Sequence, residues 1–305
     1  MTCPEQKLTF DNFLEQAEWL SRQIVVAMWS ERLRWAGLEI IDDELMTRTR
    51  STEIHGEFNN ILLTRIRPST FDADLDRCLE ILAAEAKPTR WFLSTQNPES
   101  EITEHLIARG FDECSSFAIV ATDLSAEKNS KWLTMGDGTE QSVSEICDAL
   151  ELKQYANILA QTYDFSTTFA NSWFDMLLSC GVGPHLPWRY YLYRHNGQPV
   201  GMLGALWSDQ VIAIEVMSVL PEFRKQRIGS ALVFAALLDA QRAGYEVAIA
   251  YPTKSAQGLY RRYGFADVGG IDCVTIGSDI GEGELYHNRT ERPMIFDAPP
   301  SMVAK

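Results

Sequence analysis

The sequence predicts an α/β chain folded as two units, and three observations lead there. Helical periodicities alternate with short apolar or β-branched runs along most of the chain. A polar, glycine-containing stretch near 125–140 interrupts the alternation close to the middle of 305 residues, a length that favours about two domains. In the second half, an apolar strand over residues 211–219 runs through Pro221 into a short basic loop and an Ala/Leu-rich helix.

The elements follow in order. Residues 10–35 predict one long amphipathic helix, with Phe10, Phe13, Leu14, Ala17, Leu20 and Ile24 at helical spacing. Residues 60–66 are an apolar run of strand length, closed by Arg67-Pro68. A second helix spans 72–86, with Leu75, Cys78, Leu79 and Leu82 on one face. Residues 91–94 make a short strand, 99–108 a third helix with Gly110 as its C-cap, and 111–124 a further strand. In the second half, 151–162 and 167–179 are helices. Residues 188–195 and 198–206 pair across Asn196-Gly197, a dipeptide suited to a type I′ turn. The basic loop, a helix over 228–243, a strand over 245–251, a short helix carrying Tyr260 and a strand from Phe265 complete the series. Residues 277–305 are a turn-rich tail.

The basic loop is where chemistry concentrates. Arg224, Lys225 and Arg227 stand just before a helix, so three cations, free backbone N–H groups and the positive end of a helix dipole meet at one point. That combination suits a phosphate-bearing ligand. Together with Leu259-Tyr260-Arg-Arg-Tyr263-Gly264-Phe265, the stretch Arg224-Lys225-Gln226-Arg227-Ile228-Gly229-Ser230 resembles the acetyl-CoA-binding core of the GCN5-related N-acetyltransferases, the GNAT family. The family's signature there is Arg/Gln-x-x-Gly-x-Gly/Ala. Its first glycine is Arg227 in this chain, which removes glycine's conformational freedom at that place. A second, shorter match lies upstream. Leu106-Ile-Ala-Arg-Gly110-Phe111 and the strand after it resemble the same closing helix and strand, with no counterpart of the basic loop.

The resemblance implies a GNAT fold, with a mixed central sheet flanked by helices, in a tandem of two such units. The expected division is a degenerate N-terminal unit at 1–125, a linker at 126–139, an acetyl-CoA-binding catalytic domain at 140–276 and the tail at 277–305. It further implies that Arg224, Lys225, Gln226, Arg227, Ile228, Gly229 and Ser230 hold the pyrophosphate, and that the main chain of Met217, Ser218 and Val219 pairs with the pantetheine arm. Ser255 is expected either at the cofactor or as a helix cap. Tyr260 matches the tyrosine that donates to the departing thiolate, while Tyr263 reads as core. Glu215 is the one carboxylate in an apolar strand. It is a candidate base, acting directly or through water, or else a carboxylate that binds the acceptor's ammonium or meets solvent. Alternation along the strand puts it on the same face as Met217.

The implied function is transfer of an acetyl group from acetyl-CoA to a primary amine by direct attack. The alternative is a catalytically silent acyl-CoA sensor or regulatory module. Tyr155, Tyr163, Phe165, Phe169, Trp173, Trp188, Tyr190, Tyr191 and Trp207 are available to an acceptor pocket, though aromatic residues at such spacings are mostly core.

Composition sets the outer bounds. A formal net charge of −15 argues against nucleic acid as partner and is compatible with a cationic acceptor such as a polyamine, an aminosugar or a lysine-bearing peptide. Six cysteines without a Cys-x-x-Cys pair indicate neither a zinc site nor a disulfide framework. With no membrane-length apolar run and no signal-like start, the expectation is a cytoplasmic protein, monomeric or homodimeric. Walker, dinucleotide-binding and nucleophile-elbow motifs are missing from the sequence.

Overall fold

The computed structural model describes residues 8–52, 58–95, 99–109, 111–125, 142–163, 165–208, 211–252 and 256–276. The expected linker at 126–139, Ser255 and the tail at 277–305 lie outside the described residues. In the N-terminal half, α1 (Phe10–Leu14) and α2 (Ala17–Ser30) lead through a 3-10 turn (Glu31–Arg34) to strands β1 (Leu38–Asp42), β2 (Met46–Ser51) and β3 (Asn60–Thr64). Then come α3 (Phe71–Glu85), β4 (Thr89–Ser94), α4 (Glu99–Ala108) and β5 (Asp112–Asp123). The C-terminal half runs β6 (Val143–Glu145), α5 (Ala149–Tyr163), α6 (Thr167–Cys180), β7 (Trp188–His195), β8 (Gln198–Trp207), β9 (Ile212–Val219), α7 (Ile228–Arg242), β10 (Val247–Ala250), α8 (Gln257–Arg262) and β11 (Ala266–Ile276).

Among the described residues the strands form one mixed sheet in the order β1-β2-β3-β4-β11-β5-β10-β9-β8-β7-β6. Only β3–β4 and β9–β10 are parallel. Each of these pairs is linked through a helix, as parallel neighbours require. The two halves repeat the same run of strand, helix, strand, helix, strand. Their last strands are exchanged: β5 pairs with β10 of the C-terminal half, β11 pairs with β4 of the N-terminal half, and the two lie side by side. Neither β4 nor β10 is left as an edge, so backbone groups that would otherwise invite mispairing are used.

The predicted helix over 10–35 is interrupted. Thr9 Oγ1 accepts from the Asn12 N–H and caps α1, and Gln16 then departs from helical geometry (φ −129°, ψ 16°) before α2 begins. The apolar spacing continues through the break, which is why periodicity alone does not reveal it. The β1–β2 hairpin has no forecast in the sequence reading either. Its turn is built by Asp43, whose Oδ1 accepts from the N–H groups of Leu45 and Met46, each at 2.9 Å. The hairpin over 188–206 is as expected, with Asn196 at φ 49° and Gly197 at φ 82° meeting the demand of a type I′ turn.

The main hydrophobic core joins the two halves. Phe58 beside β3 lies 5.4 Å from the ring of Phe169 and 5.7 Å from that of Trp173, both on α6. Gly204 on β8 makes room for α5, since a Cβ there would stand 2.4 Å from Tyr155 Oη.

Two outcomes are expected. Gly204→Ala should lower stability by about 1–3 kcal/mol through overpacking, and adding Tyr155→Phe should recover most of it. Urea titration of the three proteins measures both. A chain beginning at residue 142 should fail to give a cooperative unfolding transition, because β10 would lack β5, whereas the full chain should unfold with circular dichroism and tryptophan fluorescence tracing one curve. A stable, monomeric C-terminal fragment would show the exchange to be dispensable.

Candidate active site

The basic loop is exposed from Arg224 to Arg227, and burial begins at Ile228. Lys225 (φ 62°) and Arg227 (φ 63°) both adopt left-handed backbone geometry. For side chains other than glycine this costs about 1–2 kcal/mol per residue, so the loop's shape is held against local preference. Arg227 thus takes the conformation that a glycine would have adopted more easily. Arg224 turns back, its Nε donating to the Val219 carbonyl at 3.2 Å. No side chain caps α7, so the first N–H groups of the helix face the loop.

Three elements converge beside this helix start. A Cβ placed on Gly229 would lie 3.2 Å from Leu259 Cδ1 on α8 and 3.2 Å from Met217 Sδ on β9. A side chain there would crowd Leu259 and Met217, and the backbone angle of Gly229 makes no special demand. Tyr263 ties α8 down, its hydroxyl donating to the Ser230 carbonyl at 3.0 Å, and it is buried as the sequence reading held. Tyr260, one residue beyond Leu259, is also buried, with its ring edge-on to Phe265 at 5.2 Å. On the sheet, the β9–β10 ladder runs through Ile212, Ala213 and Ile214 and stops. Residues Glu215 to Val219 keep β8 on one side and have no β10 partner on the other, which leaves a cleft edge at Met217, Ser218 and Val219.

Glu215 sits where that cleft opens, but not on the face that alternation predicts. β8 and β9 slip by one residue between Gly204↔Val216 and Ala205↔Ile214, so Glu215 is the extra residue of a β-bulge. Met217 faces α7 through Gly229, while Gly204, opposite Val216, faces Tyr155 of α5. The bulge puts Glu215 with the α5–α6 side, and the expectation of a face shared with Met217 is corrected. There it meets a partner that sequence reasoning missed. Arg32 Nη2, from the 3-10 turn of the N-terminal half, donates to both carboxylate oxygens at 2.5 and 2.6 Å. Both side chains are buried, 0% and 2% exposed, and such a pair is stable only with close geometry. The guanidinium lies 4.7 Å from the ring centres of Trp29 and Trp188 and 5.5 Å from that of Trp173. Burial pushes the Glu215 carboxyl above the ordinary glutamate value, with Arg32 pulling it back. Burial likewise works against the charge on Arg32, yet Glu215 holds its pKa above the usual value. No sequence signal marks Arg32, because its partner is 183 residues away.

The aromatic residues considered for an acceptor pocket are mostly interior. Tyr155, Phe169, Trp173, Trp188, Tyr190, Tyr191 and Trp207 are buried, and Tyr163 and Phe165 partly so. Tyr155 and Tyr190 meet edge to face at 5.2 Å beside the ion pair.

The N-terminal half shows what became of the equivalent position. Between β3 and α3, Arg67 is taken up by Asp74 in the first turn of α3, which accepts from its Nε at 3.1 Å and its Nη2 at 3.0 Å. The Thr70 hydroxyl also donates to Asp74, at 2.7 Å. Arg67 foremost, then Thr70, hold this carboxyl well below the usual range. A fixed anion already occupies the helix start where a phosphate would go. Among the described residues no group of three or more His, Cys, Asp or Glu is placed to hold a metal ion, and no helix is long and apolar enough to cross a membrane.

Comparison with known proteins agrees with this geometry. Residues 154–265 match the family model for the acetyltransferase (GNAT) family. Among solved structures, a GCN5-related N-acetyltransferase from Kribbella flavida is similar over 83% of this chain and 94% of its own, at 16% identity and a TM-score of 0.58. One from Sphaerobacter thermophilus is similar over 90% of this chain and 96% of its own, at 11% identity and a TM-score of 0.54. A tandem GNAT protein from the clavulanic acid biosynthesis pathway is similar over 88% and 96%, at 13% identity and a TM-score of 0.52. No curated protein sequence matches the chain significantly. Residues 154–265 of the C-terminal half thus match the acetyltransferase (GNAT) family model, and the fold of most of the chain is that of GCN5-related N-acetyltransferases, a tandem GNAT protein among them, with an N-terminal half that repeats the strand and helix order without the basic loop.

Proposed function

We propose that this protein transfers an acetyl group from acetyl-CoA to a primary amine by direct attack. The observation that carries the reading is the convergence of Met217, Gly229 and Leu259 at the uncapped start of α7, beside the cleft that opens where β10 leaves β9. The main-chain N–H groups from Lys225 to Ser230 would bind the pyrophosphate, with Arg224, Lys225 and Arg227 adding charge-assisted contacts and the exposed Gln226 a neutral one. Ile228 is buried and anchors the helix under that cradle. The edge of Met217, Ser218 and Val219 beyond the end of the β9–β10 ladder would receive the amide groups of the pantetheine arm. Ser255 is a further candidate for cofactor contact on sequence grounds.

Chemistry then needs a proton removed from the attacking amine and a proton supplied to the departing thiolate. Tyr260 supplies the second, since a phenol of ordinary pKa about 10 can donate to a thiolate. Glu215, placed just beyond the end of the β9–β10 ladder, serves the first, directly or through water. The acidic chain raises the local concentration of a cationic acceptor, such as a polyamine, an aminosugar or a lysine-bearing peptide, and carries no attraction for nucleic acid.

Isothermal titration with acetyl-CoA tests the donor site. Wild type should bind in the micromolar range, and Arg224→Glu/Arg227→Glu should weaken binding by about 100-fold or more, the loss of two charge-assisted contacts and the gain of repulsion. Tyr260→Phe should bind within about threefold of wild type and turn over about 10²–10⁴-fold more slowly, as loss of a general acid predicts. Absence of heat with acetyl-CoA, CoA and longer acyl-CoAs would sink the enzyme reading and leave only the fold.

A further inference from the structure

We propose that Arg32, delivered by the N-terminal half, is a positioning residue of the C-terminal transfer site: it holds the Glu215 carboxylate in place at the β9 bulge, so the chemistry of one half depends on a side chain of the other. This rests on the acetyl-transfer reading of the same site. Three observations carry it beyond a structural contact.

The first is location. Glu215 occupies the bulge that begins where β9 parts from β10, and bulges re-aim side chains toward clefts. An ion pair placed only for stability has no need of that position. The second is that the pair is only partly satisfied. Arg32 donates to Glu215 through Nη2 alone, and its Nε and Nη1 have no hydrogen-bond partner among the described residues. The same holds for the Tyr190 hydroxyl and for the indole N–H groups of Trp29, Trp173 and Trp188. Buried donors are ordinarily paired, so a cluster of unpaired donors around one guanidinium is a site of polar contact rather than a finished core. The third is charge control. Arg32 and Arg90, both from the N-terminal half, act on Glu215 as cations. The other titratable groups near the pair are the phenols of Tyr155, Tyr190 and Tyr251 and the thiol of Cys180. The tyrosines are held neutral by burial first. Burial favours the protonated carboxyl, and the two arginines oppose that shift.

A self-release role for Arg32 does not fit. Its turn follows α2, which is rooted in the core through Val25, Met28 and Trp29.

The test compares wild type with Arg32→Lys, Arg32→Gln, Glu215→Gln and the double variant Arg32→Gln/Glu215→Gln. Acetyl-CoA binding is followed by titration. Acetyl-CoA consumption is followed against pH, with water, spermidine, glucosamine and a lysine-bearing peptide as acceptors. Arg32→Gln should keep acetyl-CoA affinity within about threefold and lose about 10²-fold or more in turnover, the scale of a lost acid–base contribution. Its acid limb should move to higher pH, because Glu215 without Arg32 must be deprotonated against burial with only the charge of Arg90 to oppose it. Arg32→Lys, which keeps the charge, should restore part of the rate and return the limb toward wild type. The double variant should be no slower than either single one and more stable than Arg32→Gln, since it leaves no buried charge unpaired. A pH limb unmoved in Arg32→Gln, rates that fall only in step with melting temperature, or a wild type that binds acetyl-CoA but consumes it with none of these acceptors would each overturn the proposal. A wild type silent toward acetyl-CoA itself removes the underlying reading instead.

Discussion

The exchange of β5 and β11 is the constraint on which the rest of the molecule depends. Each half supplies the strand that covers the other's parallel pair, so β10 has its neighbour only because β5 crosses over. β10 in turn determines how far β9 is held in the sheet and where it is released. The cleft at Met217 to Val219 therefore inherits its position from a strand of the other half. The aromatic contact of Phe58 with Phe169 and Trp173 fixes the same arrangement from the helical side.

Within that frame, small geometric features decide the chemistry. One slipped residue between Gly204 and Ala205 turns Glu215 away from the face of Met217 and toward the α5–α6 side. Gly204 and Gly229 act as spacers: the first lets Tyr155 reach the sheet, and the second lets β9, α7 and α8 meet. Lys225 and Arg227 do the opposite of spacers, holding left-handed backbone with full side chains. A loop that bears this cost and keeps its charges exposed is shaped by what its backbone and cations present, not by local preference.

Much of this was legible in the sequence, and the parts that were not have physical causes. α4 appears at Glu99–Ala108 as its periodicity predicts, and the Asn196-Gly197 hairpin announces itself through turn chemistry. The basic loop and the α8 segment were readable because their signals are local. The β1–β2 hairpin was hidden because β2 reads Met-Thr-Arg-Thr-Arg-Ser, a polar run whose Arg48 is buried only through Asp43 and Glu85. Glu215 stood out as a lone carboxylate in an apolar strand. Its face did not, because a bulge is set by the partner strand's register and not by the strand's own residues. Arg32 was invisible for the same reason on a longer scale: it is one arginine in Glu31-Arg-Leu-Arg34 until tertiary structure brings Glu215 to it.

The two helix starts that follow the parallel-pair strands make the asymmetry of the two halves physical. At α7 the start has no side-chain cap and is fronted by exposed cations. At α3 the anion is Asp74, covalently part of the helix and held by Arg67 and Thr70. A tethered carboxylate competes with any free phosphate at an effective concentration that solution binding does not match. The start of α3 in the N-terminal half is thus occupied by a carboxylate of its own chain. What this half still contributes lies across the interface: β5 beside β10, Phe58 against α6, and the Arg32 guanidinium on Glu215. A removal of Arg32 alone, leaving Glu215 buried without its partner, belongs to the class of change that costs about 3–5 kcal/mol. The N-terminal half therefore does more than repeat the fold: through β5, Phe58 and Arg32 it supplies packing and an ion pair on which the C-terminal half rests.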